Sequence, residues 1–195
     1  IRQINCNLRP EKIYIMITGY EDLFEQGITD FNNVSLIYNE KHSDLRGLEL
    51  LFAIKKIHSY LNETEKVLIT LVDEYYDSDD FQRFCEEIFK EKFSVLAAIK
   101  QFTFPEEYSK NYAVVIDKKY KTIRNSIEKS DEIISDYFGT GLICVDKQFT
   151  STVVKNLANG INTPLFSQLD RASPSKYCIL KNIYCNINTR VDIYE

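Results

Sequence analysis

Tryptophan is absent from this sequence, and only six of its 195 residues are glycine. Glycine lets a backbone approach a phosphate closely, because it has no Cβ and reaches positive φ at little cost. The shortage therefore predicts few tight phosphate loops. Sequences of the Walker, GxSxG and HExxH types are missing as well, and Gly139-Thr-Gly141 is too short for a dinucleotide fingerprint. The usual signatures of a P-loop, a serine hydrolase and a zinc protease are thus excluded.

The sequence also lacks long apolar runs, cysteine pairs at the spacing of metal ligands, and an excess of basic residues. No run approaches the ~20 apolar residues that a membrane span needs, and no secretory leader is recognisable. The five cysteines are scattered without a CxxC pair, which favours reduced buried thiols over a disulfide or zinc framework. The net charge of −5 argues against a broad nucleic-acid or membrane-surface binder. We therefore expect a cytoplasmic or nuclear protein with no membrane partner and no direct nucleic-acid partner.

Tyrosine and phenylalanine, by contrast, are plentiful, with 13 and 12 residues in a chain that is 44% hydrophobic. This composition can fill a substantial core, and most aromatic residues belong there. Aromatic residues in predicted turns are better candidates for contacts with a protein partner. These candidates are Tyr75, Tyr76, Phe102, Phe104 and Tyr108. A loop that folds back over its own core explains them almost as well, and that alternative stays open.

The first half of the chain opens with short apolar runs separated by turn residues and continues with longer periodic segments. The predicted elements are strands at 12–18, 23–28 and 34–38, a helix capped by Ser43 or Asp44 and running to 61, a strand at 66–72, a helix at 78–91 and a buried segment at 93–100. Three consecutive strands with short turns indicate an antiparallel meander. The continuous apolar character of 66–72 is typical of a strand that is covered on both faces.

The second half repeats this arrangement, with strands first and helices afterwards. The predicted elements are strands at 112–117, 121–128 and 131–138, a helix at 146–159 and a helix that begins at Ser173-Pro174. A boundary at 104–110 divides the chain into residues 1–108 and 109–195. A meander that leads into strand–helix alternation, begun twice, predicts a duplicated α/β fold with a mixed sheet.

The acidic residues between 73 and 80 raise the question of a metal site. Carboxylate oxygens suit magnesium or calcium, but the spacing does not match a calcium loop. Asp79 and Asp80 in the first turn of a predicted helix also suit the helix dipole. We therefore predict no metal ligands here.

Several segments resemble the actin-related proteins. RGLELLFAIKKIHSYLNETEKVLITLVDE is similar to the actin helix that leads into a strand ending in Thr-Glu, and YAVVIDKKYKTIRNSI is similar to the second phosphate hairpin. A later actin helix is resembled by the segment SPSKYCILKNIYC. The first phosphate hairpin is resembled, in degenerate form, by the segment KIYIMITGYEDLFEQGI. The resemblance implies an actin-like (ribonuclease H-like) fold, reduced in its first half and incomplete in its second.

Departures from the actin pattern imply that catalysis is lost. The second hairpin keeps Asp117 but continues with Lys118 and further bulky residues in place of glycines, and the first keeps only Gly19. Lys100 stands where the resemblance places the catalytic glutamine, and an ammonium group cannot accept a proton from water. Gly19, Asp117 and Lys118 are thus candidates for a degenerate nucleotide site. A solvated basic turn at Lys118, and a turn-forming role for Asp117, are the simpler interpretations.

The resemblance therefore implies a catalytically inactive structural subunit of a multiprotein assembly. Such a protein would bind other subunits, including actin or actin-related proteins, in a dynactin-like cap or a chromatin-remodelling complex, without a cofactor. Its location would be cytoplasmic and cytoskeleton-associated, with a nuclear location as the alternative. Two further functions remain open: an actin-like ATPase or nucleotide switch that binds ATP and magnesium, and an unrelated α/β domain.

Overall fold

The computed structural model describes residues 4, 8, 10–17, 32–38, 48–71, 73–103, 111–128 and 132–186. The strands in these ranges are β1 (Ile13–Ile17), β2 (Val34–Tyr38), β3 (Lys66–Ile69), β4 (Glu74–Tyr76), β5 (Val95–Gln101), β6 (Tyr112–Asp117), β7 (Thr122–Glu128), β8 (Tyr137–Asp146), β9 (Ser175–Ile179) and β10 (Tyr184–Asn186). The helices are α1 (Glu49–His58), α2 (Ser78–Lys90) and α3 (Lys147–Ala158), and short 3-10 turns lie at Leu165–Ser167 and Leu169–Arg171. None of the helices in the described ranges is long and apolar enough to cross a membrane.

Six strands form a mixed sheet in the order β3–β8–β5–β9–β7–β6. The last strand, β6, also pairs with β8 near its start, where Tyr112 is opposite Gly139. Strands β8, β5, β9, β7 and β6 therefore close into a five-stranded, barrel-like ring. The remaining strand, β3, extends the sheet outside this ring, because it occupies the other half of the same β8 edge, with Ile69 opposite Ile143.

Helices cover both faces of the sheet, and the alternation of side chains along β5 shows how. Val95, Ala97 and Ile99 belong to the core cluster beneath α1 and α3. Leu96 and Ala98 point to the opposite cluster beneath α2. All five are buried, as expected for a strand with both faces covered.

Local side-chain signals set the starts of two helices. Asp77 caps α2, because its carboxylate accepts the N–H groups of Asp79 and Asp80. Asp146 caps α3 by accepting the N–H of Phe149 at 2.8 Å. Side-chain acceptors at these positions satisfy N–H groups that have no partner within the helix.

The spacing in α2 predicts an apolar face of Phe81, Phe84, Cys85, Ile88 and Phe89, and the first four of these residues are buried. Its buried residues are Asp80, Phe81, Phe84, Cys85 and Ile88. Phe89, by contrast, is exposed. The apolar residues therefore pack under one side of the helix, and the buried Asp80 needs polar partners there.

Two predicted pairings are wrong. Strands β1 and β2 pair in parallel, with Ile13 opposite Val34, rather than as part of an antiparallel meander. The second predicted meander is correct for β6 and β7, which are antiparallel. Its third strand is misplaced, because β8 begins at Tyr137, where it can pair with β5. The predicted strand at 23–28 and the cap at Ser43 or Asp44 lie outside the described residues.

The helix predicted from Ser173-Pro174 is also wrong. The chain here enters β9, which runs parallel to β5 with Val95 opposite Ser175. The carbonyl of Pro174 accepts the N–H of Ser94 at 2.8 Å, and this bond begins the ladder. A sequence signal for a helix start is thus overridden by a sheet edge that offers backbone partners.

The predicted duplicated actin-like fold is wrong. Strands from both halves of the sequence share one six-stranded sheet, in which β8 of the second half lies between β3 and β5 of the first. The proposed division into 1–108 and 109–195 stays a prediction, and residue 108 itself lies outside the described part of the chain.

Candidate functional site

The candidate site lies at the edge of the sheet where parallel strands end. Strands β3 and β5 are both antiparallel to β8, so they run parallel to each other, and β9 runs parallel to β5. Their carboxyl ends therefore share one edge of the sheet. Ligands of open α/β sheets bind at such edges. Asp73 and Glu74 follow β3 at this edge.

Glu74 is an acidic side chain held inside the protein by distant partners. Its carboxylate accepts the N–H of Gly141 at 2.8 Å from Oε2 and 3.0 Å from Oε1. The Tyr184 hydroxyl donates to Oε1 at 2.9 Å. The Tyr76 hydroxyl donates to Oε2. Both carboxylate oxygens are thus satisfied by donors from β4, β8 and β10, as a buried acid requires.

Gly141 makes room for this carboxylate. A Cβ placed on Gly141 would lie 2.8 Å from Oε2 of Glu74 and 2.6 Å from a methyl carbon of Leu71. Real Cβ atoms do not approach other heavy atoms so closely, so either residue would have to move. The glycine is therefore needed for the space it leaves, at a position inside a buried strand.

The ribbon formed by β4 and β10 brings the tyrosines to Glu74. The two strands are antiparallel, with Tyr76 opposite Tyr184 and Asn186 opposite Glu74. The aromatic rings of Tyr76 and Tyr184 lie 5.7 Å apart. Because β10 is only three residues long, it needs an anchor elsewhere in the chain.

That anchor is the N-terminal turn of α2. The carboxylate of Asp80 accepts the backbone N–H groups of Lys181 at 3.1 Å and Asn182 at 2.7 Å. Arg83 forms an ion pair with the same carboxylate. The side-chain amide of Asn182 donates to Asp77 at 2.8 Å. The segment before β10 is thereby fixed to α2, and Tyr184 is carried to Glu74.

Burial governs the protonation of this cluster. It raises the pKa of the Glu74 carboxyl above its ordinary value, against the hydrogen bonds of Tyr76, Tyr184 and Gly141. The charge of Asp73 raises that pKa further. Burial also raises the pKa of both tyrosines, and the neighbouring Glu74 adds to this effect. The phenols consequently remain donors near neutral pH.

Two oxygen groups next to this cluster are free to bind a ligand. Asp73 is exposed and directly precedes Glu74. The side-chain oxygen Oδ1 of Asn186 is buried and has no hydrogen-bond partner among the residues that the structure describes. Buried polar atoms are nearly always paired, so this oxygen is a candidate for binding a ligand. Within the described ranges, no group of three or more histidines, cysteines or acids could hold a metal ion by itself.

Two of the residues predicted to form a degenerate nucleotide site, Asp117 and Lys118, lie in the hairpin between β6 and β7. Asp117 ends β6, and its carboxylate accepts hydrogen bonds from the backbone N–H groups of Lys119 and Tyr120. The same carboxylate forms an ion pair with Arg124. These bonds make Asp117 a turn-forming residue in the hairpin between β6 and β7. Lys118 lies with its ammonium 5.6 Å from the ring centre of Tyr137. Gly19 lies outside the described residues, and a nucleotide role for all three stays a prediction.

The predicted interaction aromatics have different environments. Tyr75 is 52% exposed, whereas Tyr76 is 8% exposed and belongs to the Glu74 cluster. Phe102 packs on Phe138, with ring centres 4.9 Å apart. Phe104 and Tyr108 lie outside the described residues. Of this set, Tyr75 has the surface that contact with a partner would need, and that role stays a prediction.

Glu74, Gly141, Tyr184 and Asn186 were not predicted as site residues. Asp73 and Glu74 were noticed only as part of an acidic turn. Apart from Tyr76, the partners of Glu74 are 67 and 110 residues away in sequence, so no local spacing reveals them. The one available signal is an acidic pair directly after a buried strand, a position at which α/β sheets commonly bind ligands.

The fold built around this edge is similar to the folds of two solved structures. The chain matches a solved structure described as a glucose-1-phosphate thymidylyltransferase from Bacillus anthracis with a TM-score of 0.73 at 16% identity, covering 98% of this chain and 76% of that one. It also matches the inositol-1-phosphate CTP transferase from T. maritima with a TM-score of 0.68 at 16% identity, covering 93% of this chain and 72% of that one. No protein-family model and no curated protein matches the sequence.

These neighbours overturn the resemblance to actin-related proteins. Both are nucleotidyltransferases by description, and their match extends over nearly the whole chain. The interpretation of the chain as an inactive actin-related subunit, with a cytoskeletal or dynactin-like role, is therefore wrong. It failed because alternating strands and helices are common to many α/β folds, which differ in how their strands pair.

Proposed function

We propose that the protein is a nucleotidyltransferase that uses a nucleoside triphosphate and a phosphorylated polyol or sugar. In this reaction an oxygen of the acceptor phosphate bonds to the α-phosphorus of the triphosphate. The bond between the α- and β-phosphates breaks, and pyrophosphate leaves. The proposal is supported by the fold and by polar groups at the carboxyl edge of the sheet, above all the unpaired Oδ1 of Asn186.

The residues at this edge fit a divalent cation that accompanies the nucleotide. Magnesium usually takes one or two protein oxygens and completes its shell with substrate phosphates and water. Asp73 offers an exposed carboxylate and Asn186 an oxygen without a partner. Glu74 does not fit this role, because both its oxygens accept hydrogen bonds and its pKa is raised. A magnesium ion held by Asp73 and Asn186 would offset the negative charge of the triphosphate.

The role of Glu74 is to position its neighbours. Its carboxyl fixes the N–H of Gly141 and the hydroxyl of Tyr184 at the centre of the site. It also ties β10, and therefore Asn186, to the main sheet. A site that is held by packed strands rather than by loops keeps its polar groups in place before a ligand arrives.

The experiment that tests this function is a transfer assay. The protein is incubated with magnesium, each of the common nucleoside triphosphates, and either glucose 1-phosphate or inositol 1-phosphate, and pyrophosphate release is measured. We expect release with at least one pair, and a loss of about a hundredfold or more in Asp73→Asn, because a group that offsets charge in phosphate transfer is removed.

Asp79→Asn is the matched control, because Asp79 is an exposed acid in the first turn of α2. It should retain wild-type rates. The absence of release with every pair, or full activity in Asp73→Asn, would overturn the proposed function.

A further inference from the structure

Residues 181–186 follow β9 and lead to the candidate site, and we call this segment the strap. Its first three residues are exposed, and Ile183 is 72% exposed. Its last three residues form β10, which carries Tyr184 and Asn186 to the site. Burial of apolar surface therefore contributes little to holding the first half of the strap in place.

Charged side chains hold the strap instead, and they meet at Asn182. Its backbone N–H donates to the carboxylate of Asp80 at 2.7 Å, and its backbone carbonyl accepts the ammonium of Lys100 at 2.6 Å. Its side-chain amide donates to Asp77 at 2.8 Å. Hydrogen bonds to charged groups are stronger than neutral ones. Asn182 is thus held from two sides, by β5 through Lys100 and by the start of α2 through the two acids.

A segment held in this way should open locally while the main sheet stays folded. Local opening costs least where few apolar groups are buried and where the hydrogen bonds lie near the surface. The ladder between β10 and β4 consists of only three residue pairs. Opening of the strap would withdraw Asn186 from the site, whereas Asp73 precedes β4 and is not part of the strap.

We propose that Lys100 is a positioning residue, which closes the strap and thereby keeps the side chain of Asn186 in the site. It acts on the backbone of Asn182 and not on the bound ion. This inference rests on the proposed function, since it uses the magnesium ion assigned there to Asp73 and Asn186. A ligand that binds only the closed strap must also stabilise the closed strap, because the two equilibria are linked.

The test is hydrogen exchange, measured by mass spectrometry on peptides that cover the strap. The probe is magnesium with inorganic tripolyphosphate, and tripolyphosphate without magnesium is the control. At a probe concentration ten times its Kd, exchange of the strap should slow about tenfold, because the bound ion holds Asn186. Unchanged exchange on addition of the probe would overturn the inference.

Substitutions at Lys100 test its role directly. Lys100→Met keeps the aliphatic stem and loses the ammonium, so the strap should exchange about tenfold faster in the absence of magnesium. The probe should slow this exchange again, and Lys100→Arg, which restores a donor, should exchange at close to the wild-type rate. Equal exchange of the strap in Lys100→Met and the wild type would contradict the positioning role.

Lys176→Met is the matched control. Lys176 also donates to a backbone carbonyl, that of Tyr120 at 3.3 Å, but this bond lies at the hairpin between β6 and β7. Its loss should leave the exchange of the strap unchanged. An acceleration equal to that in Lys100→Met would show a general loss of stability and would overturn the specific role of Lys100.

Asn186→Ala separates the metal ligand from the positioning residue. This variant should lose the slowing by the probe, and slowing that persists would overturn the link between the strap and the ion. Transfer activity in the wild type without any slowing by the probe would overturn this inference alone. Slowing by the probe without transfer activity would overturn the proposed function and support the role of Lys100.

Discussion

Asp117 and Glu74 are both acids at the end of a strand, yet they belong to two very different regions. Asp117 is also half-buried, but its partners come from the next seven residues of the same hairpin. Glu74 is half-buried, and its partners include β8 and β10, from far along the chain. An acid with local partners shapes a turn, whereas an acid with distant partners reports where the tertiary structure concentrates polar groups.

The comparison is tested most strongly by Glu74→Ala. This change leaves the N–H of Gly141 and the hydroxyls of Tyr76 and Tyr184 without their acceptor. Buried donors that lose a partner are costly, so we expect a loss of about 3 kcal/mol in the free energy of unfolding. Urea unfolding followed by circular dichroism measures it. Glu74→Gln, which keeps an acceptor oxygen, should lose about 1 kcal/mol, and equal losses in both variants would contradict this account.

A slightly smaller effect is expected from Gly141→Ala. The added methyl group would contact Oε2 of Glu74 and the side chain of Leu71. Overpacking of a buried strand should reduce the unfolding free energy by about 1 to 3 kcal/mol. The control is Gly160→Asn, because Gly160 has φ of +74°, which asparagine tolerates, and nothing lies within 4 Å of an added Cβ. A stable Gly141→Ala protein would show that the site adapts to a methyl group.

The pH dependence of stability offers a third test. Burial raises the pKa of Glu74 in the folded protein, so the folded state holds its proton more firmly than the unfolded chain. This difference in the pKa of Glu74 contributes to the free energy of unfolding. The contribution is complete below the pKa of Glu74 in the unfolded chain, and it is lost as the pH rises through the pKa in the folded protein. In urea unfolding across this range, the wild type should lose stability relative to Glu74→Gln. Parallel curves for the two proteins would contradict the raised pKa.

The smallest effect is expected from Asp117→Asn. The ion pair with Arg124 lies on the surface, and such pairs contribute little because water and salt screen them. The amide also retains an oxygen that can accept the turn N–H groups. Thermal unfolding and the transfer assay should both match the wild type. A clear loss of transfer activity would return this hairpin to consideration as a nucleotide site.

Much of the local structure could be predicted from the sequence. The buried face of α2, its cap at Asp77 and the pairing of β6 with β7 all follow from spacings within a few residues. The strands β4 and β10 were missed because three residues carry no periodicity. The parallel course of β9 was missed because its partner, β5, is about 80 residues earlier.

The candidate site was missed for the same physical reason. Asp117, which has local partners, was correctly read as a turn former in one interpretation and given a nucleotide role in another. Glu74 draws its importance from Gly141 and Tyr184, which become its neighbours only when the sheet forms. An assignment by segment order alone therefore selected the wrong fold and did not single out Glu74.

The ten-residue strand β8 has a consequence for how the protein is made. It pairs with β3, β5 and β6, and those three strands are all translated before it. A nascent chain that has emerged from the ribosome only as far as residue 136 holds these strands without the one that joins them. The sheet therefore cannot be completed until the last third of the polypeptide has been translated. Until then, its unpaired strands are exposed to chaperones.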